Sequence, residues 1–123
     1  MKKELIEKAR QAAEKSYSPY SRFKVGAAVL AASGKVYTGT NVENASFGLT
    51  VCAERNAVFA AVCAGEREIK ALALTPDTYP CGACLQVMAE FAAKDFVLYI
   101  DGGEEYALAD LLPKGFKLSE DTL

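Results

Sequence analysis

Apolar residues at Leu5, Ile6, Ala9, Ala12 and Ala13 recur at three- and four-residue intervals among charged neighbours, which predicts an amphipathic helix over residues 2–15. The turn Ser18-Pro19-Tyr20-Ser21 ends it. From Val25 to Ala32 the chain is apolar and rich in small residues, Ser33-Gly34-Lys35 reads as a hairpin turn, and residues 35–42 carry Val36, Tyr37, Thr38 and Thr40. Two antiparallel strands are expected there. A near-continuous run of Ala, Val and Phe from Cys52 to Ala64, closed by Gly65, predicts a buried helix. Residues 69–75 then read as a buried strand bounded by Pro76, and residues 82–94 as a second buried helix. Residues 96–101 form a further strand, Asp101-Gly102-Gly103 a turn, residues 106–109 a short strand, and residues 110–112 a helical turn that stops at Pro113.

This order predicts an α/β fold of three layers, α/β/α, with helices covering both faces of a mixed five-stranded sheet. No repeat, low-complexity segment or linker interrupts the pattern. The 123 residues match the size of one domain with one hydrophobic core, so residues 1–123 are expected to fold as a unit.

Composition narrows the function. Fourteen basic against sixteen acidic side chains give a net charge of -2, without the positive footprint expected of a nucleic-acid binder. The segment from Met1 to Lys8 alternates charged and apolar residues and holds no run long enough for a signal peptide or a membrane span. The expectation is a cytoplasmic protein acting on a small molecule, with neither nucleic acid nor membrane as partner. Its four cysteines are then thiols and not disulfides. Histidine is absent, which removes every mechanism that needs an imidazole as base or metal ligand.

The chemistry concentrates in Cys52-Ala53-Glu54 and Pro80-Cys81-Gly82-Ala83-Cys84, each at the start of a predicted helix. Cys81 and Cys84, three residues apart, share a helix face and can chelate one ion. A helix N-terminus also favours the thiolate over the thiol. Cys52 and Glu54 are two apart and would diverge within a regular helix. Both can face one ion only if Cys52 stands at the helix entrance. Cys63 lies about 16 Å further along at about 1.5 Å per residue, too far to join them, and reads as a small buried apolar residue. Three thiolates leave one open position on a tetrahedral ion, the pattern of a catalytic zinc. The competing reading makes Glu54 a fourth ligand that closes a structural site.

These motifs resemble the zinc signature of the tetrameric cytidine deaminase family, in the three-Cys form typical of enzymes for free nucleosides. The resemblance covers nearly the whole chain. It extends to Tyr17-Ser18-Pro19-Tyr20-Ser21-Arg22-Phe23-Lys24-Val25-Gly26-Ala27-Ala28, to Asn41-Val42-Glu43-Asn44-Ala45-Ser46 and to Leu111-Leu112-Pro113-Lys114-Gly115-Phe116. It implies a cytidine deaminase-like fold with one Zn2+ per subunit on Cys52, Cys81 and Cys84. Glu54 would carry protons from water to ring N3 and to the departing amine. It also implies that Phe23 packs on the pyrimidine, that Asn41 and Glu43 bind the sugar hydroxyls, and that Ala53 contributes to the substrate site. Phe116 would complete the pocket of a neighbouring subunit in a homotetramer.

Two departures from the family pattern stand out. Leu85-Gln86 follows the second cysteine pair where Arg-Gln is common, which leaves Arg55 to offset the charge of three thiolates on zinc. The segment Pro76-Asp77-Thr78-Tyr79 is shorter than is common, and Tyr79 replaces a usual Ser. The implied reaction is hydrolytic deamination of cytidine, deoxycytidine or both. Its alternatives are a deaminase of a modified nucleoside such as a blasticidin-type antibiotic, and a non-catalytic zinc-stabilised binding module.

Overall fold

The computed structural model describes residues 1–118. Helix α1 (Lys2–Ala13) precedes the hairpin β1 (Gly26–Ala31) and β2 (Val36–Thr40), followed by α2 (Ala53–Cys63) and β3 (Ile69–Thr75). Then come α3 (Gly82–Phe91), β4 (Ala92–Ile100), β5 (Glu105–Ala107) and the short α4 (Leu108–Leu111). The five strands form one mixed sheet in the order β2-β1-β3-β4-β5. β1 runs antiparallel to both β2 and β3, β3 is parallel to β4 across the α3 crossover, and β5 folds back antiparallel on β4.

Alternation along the strands separates two cores. Ala28, Ala71 and Ala73 meet Leu5 and Ala9 of α1 on one face of the sheet. Ala27, Val29, Leu72, Leu74, Leu98 and Ile100 meet Ala57, Val58 and Ala61 of α2 and Leu85 and Met88 of α3 on the other. The predicted three layers are therefore present.

Two glycines of the hairpin set how close the helices come. A Cβ at Gly26 would run into the Ala9 carbonyl oxygen and lie 2.6 Å from Ala13 N of α1. A Cβ at Gly39 would strike Ala57 N and come within 2.6 Å of the Ala53 carbonyl oxygen of α2. The obstructing atoms are backbone and have no rotamer by which to yield. Asn56 Nδ2 donates to the Thr40 carbonyl at 2.8 Å and ties the first turn of α2 to the same strand. The entrance of α2, where Cys52 stands, is thus seated directly on β2.

Three expectations are corrected. Helix α3 ends at Phe91, and β4 starts at Ala92 where Ile69 pairs with it. Residues 92–95 contain no helix breaker, and strand pairing overrides their propensity. The last strand and helix fall at residues 105–107 and 108–111, because Asp110 Oδ2 accepts the Ala107 N–H at 2.9 Å and starts the helix there. Finally, α2 and α3 are not buried all round. Each covers the sheet with one side only, so Phe59 and Cys63 are exposed, and Cys63 is not a core residue.

Replacing Gly39 with Ala is expected to destabilise the protein by about 1–3 kcal/mol, the usual cost of overpacking, since α2 must lift from β2. Urea unfolding measures this, and a variant as stable as the parent would contradict the close-approach account.

Candidate active site

Helices α2 and α3 both begin at a cysteine. Cys52 has extended backbone, with φ -70 and ψ 155, while its carbonyl already accepts the Asn56 N–H at 3.1 Å. Cys81 does the same for α3, with φ -76 and ψ 170 and the Leu85 N–H at 3.0 Å. The required position of Cys52 at a helix entrance is met. Cys84, in the first turn of α3, is buried beneath the pair.

The sulfur atoms of Cys52, Cys81 and Cys84 lie within 4.8 Å of one another, and those of Cys81 and Cys84 are 3.4 Å apart. A tetrahedral ion with Zn–S bonds of about 2.3 Å spaces its sulfurs by about 3.8 Å, so the cluster matches zinc in donor type and size. Glu54 does not belong to that cluster, which is the only such group among the described residues. Cys63, at the far end of α2, is likewise outside it.

Electrostatics favour the thiolate at Cys52. A hydrogen bond from Cys84 and the Arg55 guanidinium, whose Nη2 is 3.4 Å from Cys52 Sγ, pull the Cys52 thiol down to about 5. The same sulfur contact and burial drive Cys84 upward, so Cys84 holds its proton until a cation displaces it. Arg55 is the cation placed against the sulfur, and the contact raises its own pKa. Leu85, by contrast, is packed into the core beneath α3.

Glu54, one position into the helix, is 5% exposed. Burial pushes its carboxyl up to about 7, and the negative charge at Cys52 adds to the effect. Beside it opens a cavity of about 260 Å³ lined by Phe23, Asn41, Glu43, Thr50, Cys52, Ala53, Glu54, Tyr79 and Cys81, among others. Phe23 is 47% exposed, and its place is in this wall and not in the core.

The sugar-site candidates prove heavily engaged with the protein itself. Asn41 Oδ1 accepts from the Val25 N–H and Ser16 Oγ, while Nδ2 donates to the Phe23 carbonyl at 2.7 Å. Asn41 thus holds the segment that carries Phe23. Glu43 accepts from the backbone N–H groups of Tyr20 and Ser21 and from Ser21 Oγ. Burial alone would raise its pKa, but those three donors together hold it below the usual carboxylate value. Phe116 does not line this cavity; its carbonyl accepts from Gln86 Nε2 at 2.7 Å, which fixes it beside α3.

Sequence reasoning missed the 3-10 turn at Phe47–Leu49 and the lining role of Phe47, Thr50 and Thr78. A paired bridge between Val42 and Val51 closes the loop that carries the turn. No periodicity in residues 43–51 signals such a closure.

Comparison with known proteins agrees with this geometry. Residues 1–100 match the family model described as the cytidine and deoxycytidylate deaminase zinc-binding region. A cytidine deaminase of Halalkalibacterium halodurans is 48% identical over 120 residues, covering 91% of each chain. One from Mycobacterium tuberculosis is 45% identical over 117 residues, covering 91% of this chain and 86% of the other. The crystal structure of a Mycobacterium tuberculosis cytidine deaminase superposes with a TM-score of 0.87 at 42% identity, over 94% of this chain and 97% of that one. That from Burkholderia pseudomallei gives 0.81 at 46% identity, over 93% and 98%. With two cysteine-headed helices converging on a buried glutamate, and relatives this similar along nearly its whole length, the chain belongs to the zinc-binding cytidine and deoxycytidylate deaminase family.

Proposed function

We propose that this enzyme hydrolyses the exocyclic amine of cytidine, deoxycytidine or both, releasing ammonia and the uracil nucleoside, with Glu54 as its proton carrier. The observation that carries the reading is a buried glutamate outside the sulfur cluster but on the wall of the cavity that the cluster borders. Cys52, Cys81 and Cys84 would hold zinc, which when bound supplies Lewis-acid activation of a water near neutral pH. The Glu54 carboxylate accepts a proton from the attacking water and gives it to ring N3, then takes the second proton from the hydroxyl newly formed on C4 and delivers it to the departing amine. A carboxyl group near pKa 7 can both take and return a proton at working pH. One group therefore serves as base and then as acid.

Other residues bind and orient. Phe23 offers an apolar face to the pyrimidine. Ala53 opens α2, where a helix leaves backbone N–H groups unused, and lines the cavity beside Glu54. Asn41 keeps Phe23 in place and, with Glu43, faces the sugar. Arg55 offsets the negative charge of three thiolates on zinc.

The described residues form one catalytic domain with a resident Zn2+, and the protein works in the cytoplasm, in pyrimidine salvage, where reducing conditions preserve the thiols. No helix among the described residues is long and apolar enough to cross a membrane. A homotetramer accounts for the uncovered apolar sides of α2 and α3 and for exposed Phe116, which would reach a neighbour's pocket.

Ammonia release from cytidine and deoxycytidine by zinc-quantified protein tests the reaction. At least one should be turned over, and inertness toward both would refute it. Because Glu43 is held ionised beside the sugar site, cytidine monophosphate should be at least about tenfold poorer in kcat/KM. Equal turnover would refute that role. Sedimentation velocity should show four chains per particle, and a fully active monomer would contradict the proposed assembly.

A further inference from the structure

Tyr79 lies on the wall of the same cavity, in the short connection between β3 and α3 and two residues before Cys81. Its ring meets that of Tyr106 edge-on, with centroids 5.9 Å apart and planes at 67°, and the two hydroxyl oxygens are 3.2 Å apart. Tyr106 is anchored in β5 opposite Leu98 of β4. The connection is also pressed on the turn after β4, where a Cβ at Gly103 would stand 3.1 Å from Asp77 Oδ1. An exposed aromatic on a short loop would ordinarily be free to swing away. Here a second aromatic, set in the sheet, braces it.

We infer that Tyr79, braced by Tyr106, is a specificity-determining residue that closes the cavity against substituents on carbon 5 of the cytosine ring. The inference rests on the proposed reaction for the pose of the base. The reacting carbon 4 has two ring neighbours, N3 and C5. Glu54 belongs to α2 and takes the N3 side. Of the other walls, Phe23 takes the ring face and Asn41 and Glu43 the sugar, which turns the C5 side toward the segment carrying Thr78, Tyr79 and Cys81. A flexible side chain there would yield to a larger base, whereas one held by ring packing and a hydroxyl contact would not. Rejection by such a wall is worth about 10–200-fold per methyl-sized group.

The test compares kcat/KM for cytidine and 5-iodocytidine. The parent enzyme should favour cytidine by at least about tenfold. Tyr79→Ser should raise the 5-iodocytidine-to-cytidine ratio by at least about tenfold with zinc content unchanged, while Tyr79→Phe, which keeps the ring, should leave the ratio near that of the parent. A purely structural defect would lower both substrates together and leave the ratio where it was. Equal use of both substrates by the parent, an unchanged ratio in Tyr79→Ser, or an equal rise in Tyr79→Phe would each overturn the inference. Equilibrium binding of uridine and 5-iodouridine to the same proteins reads the wall without turnover. If the parent is inert toward cytidine, the proposed reaction fails on its own, and the binding ratio still decides the role of Tyr79.

Discussion

The entrances of α2 and α3 have to meet so that three sulfur atoms fall within 4.8 Å of one another, and the layers of the fold are arranged to bring this about. Parallel pairing of β3 with β4 requires α3 to cross back over the sheet, and the crossover lies on the side that α2 occupies. Gly39 lets α2 rest against β2, and Asn56 ties it there. Each helix then begins at a cysteine whose backbone is still extended, which turns the sulfur toward the other helix instead of along its own axis. One consequence is that Glu54, two residues on from Cys52, opens onto the cavity without being a member of the sulfur cluster.

Charge is the second constraint. Three thiolates around a divalent ion leave a net negative group in a half-buried site, and the cation seen against the sulfurs is Arg55. Leu85 spends its position on packing. The unlike thiols of Cys52 and Cys84 have the same origin, because a contact that stabilises one thiolate keeps a proton on its neighbour. Burial, which also raises both thiols, is the largest influence on the carboxyl group and lifts Glu54 toward neutrality. One pocket therefore holds an acidic thiol and a weakly acidic carboxyl side by side.

Much of this was legible in the chain. The three thiols, the exclusion of Cys63 and the demand that Cys52 stand at a helix entrance followed from spacing and helix geometry, and so did the mixed five-stranded sheet. What escaped depended on contacts distant in sequence. Ala92 leaves α3 because Ile69 pairs with it, and the loop over residues 43–51 closes because Val42 meets Val51. The outer side of α2 looked buried because a run of Ala, Val and Phe does not tell which side meets the sheet, and Phe59 and Cys63 emerged exposed. Likewise, nothing in the spacing of Asn41 and Glu43 indicated how completely their side chains are engaged in holding residues 20–25.

The division of labour between three sulfurs that hold the ion and one carboxylate that moves protons is tested most directly in a Glu54→Gln variant, with zinc content and cytidine turnover measured on the same sample. Gln keeps the shape but carries no transferable proton. The account predicts one zinc per chain, as in the parent, with turnover reduced by at least about 100-fold, the lower range for loss of general acid–base catalysis. Loss of zinc together with activity would make Glu54 a ligand, and near-normal turnover would remove it from the chemistry altogether.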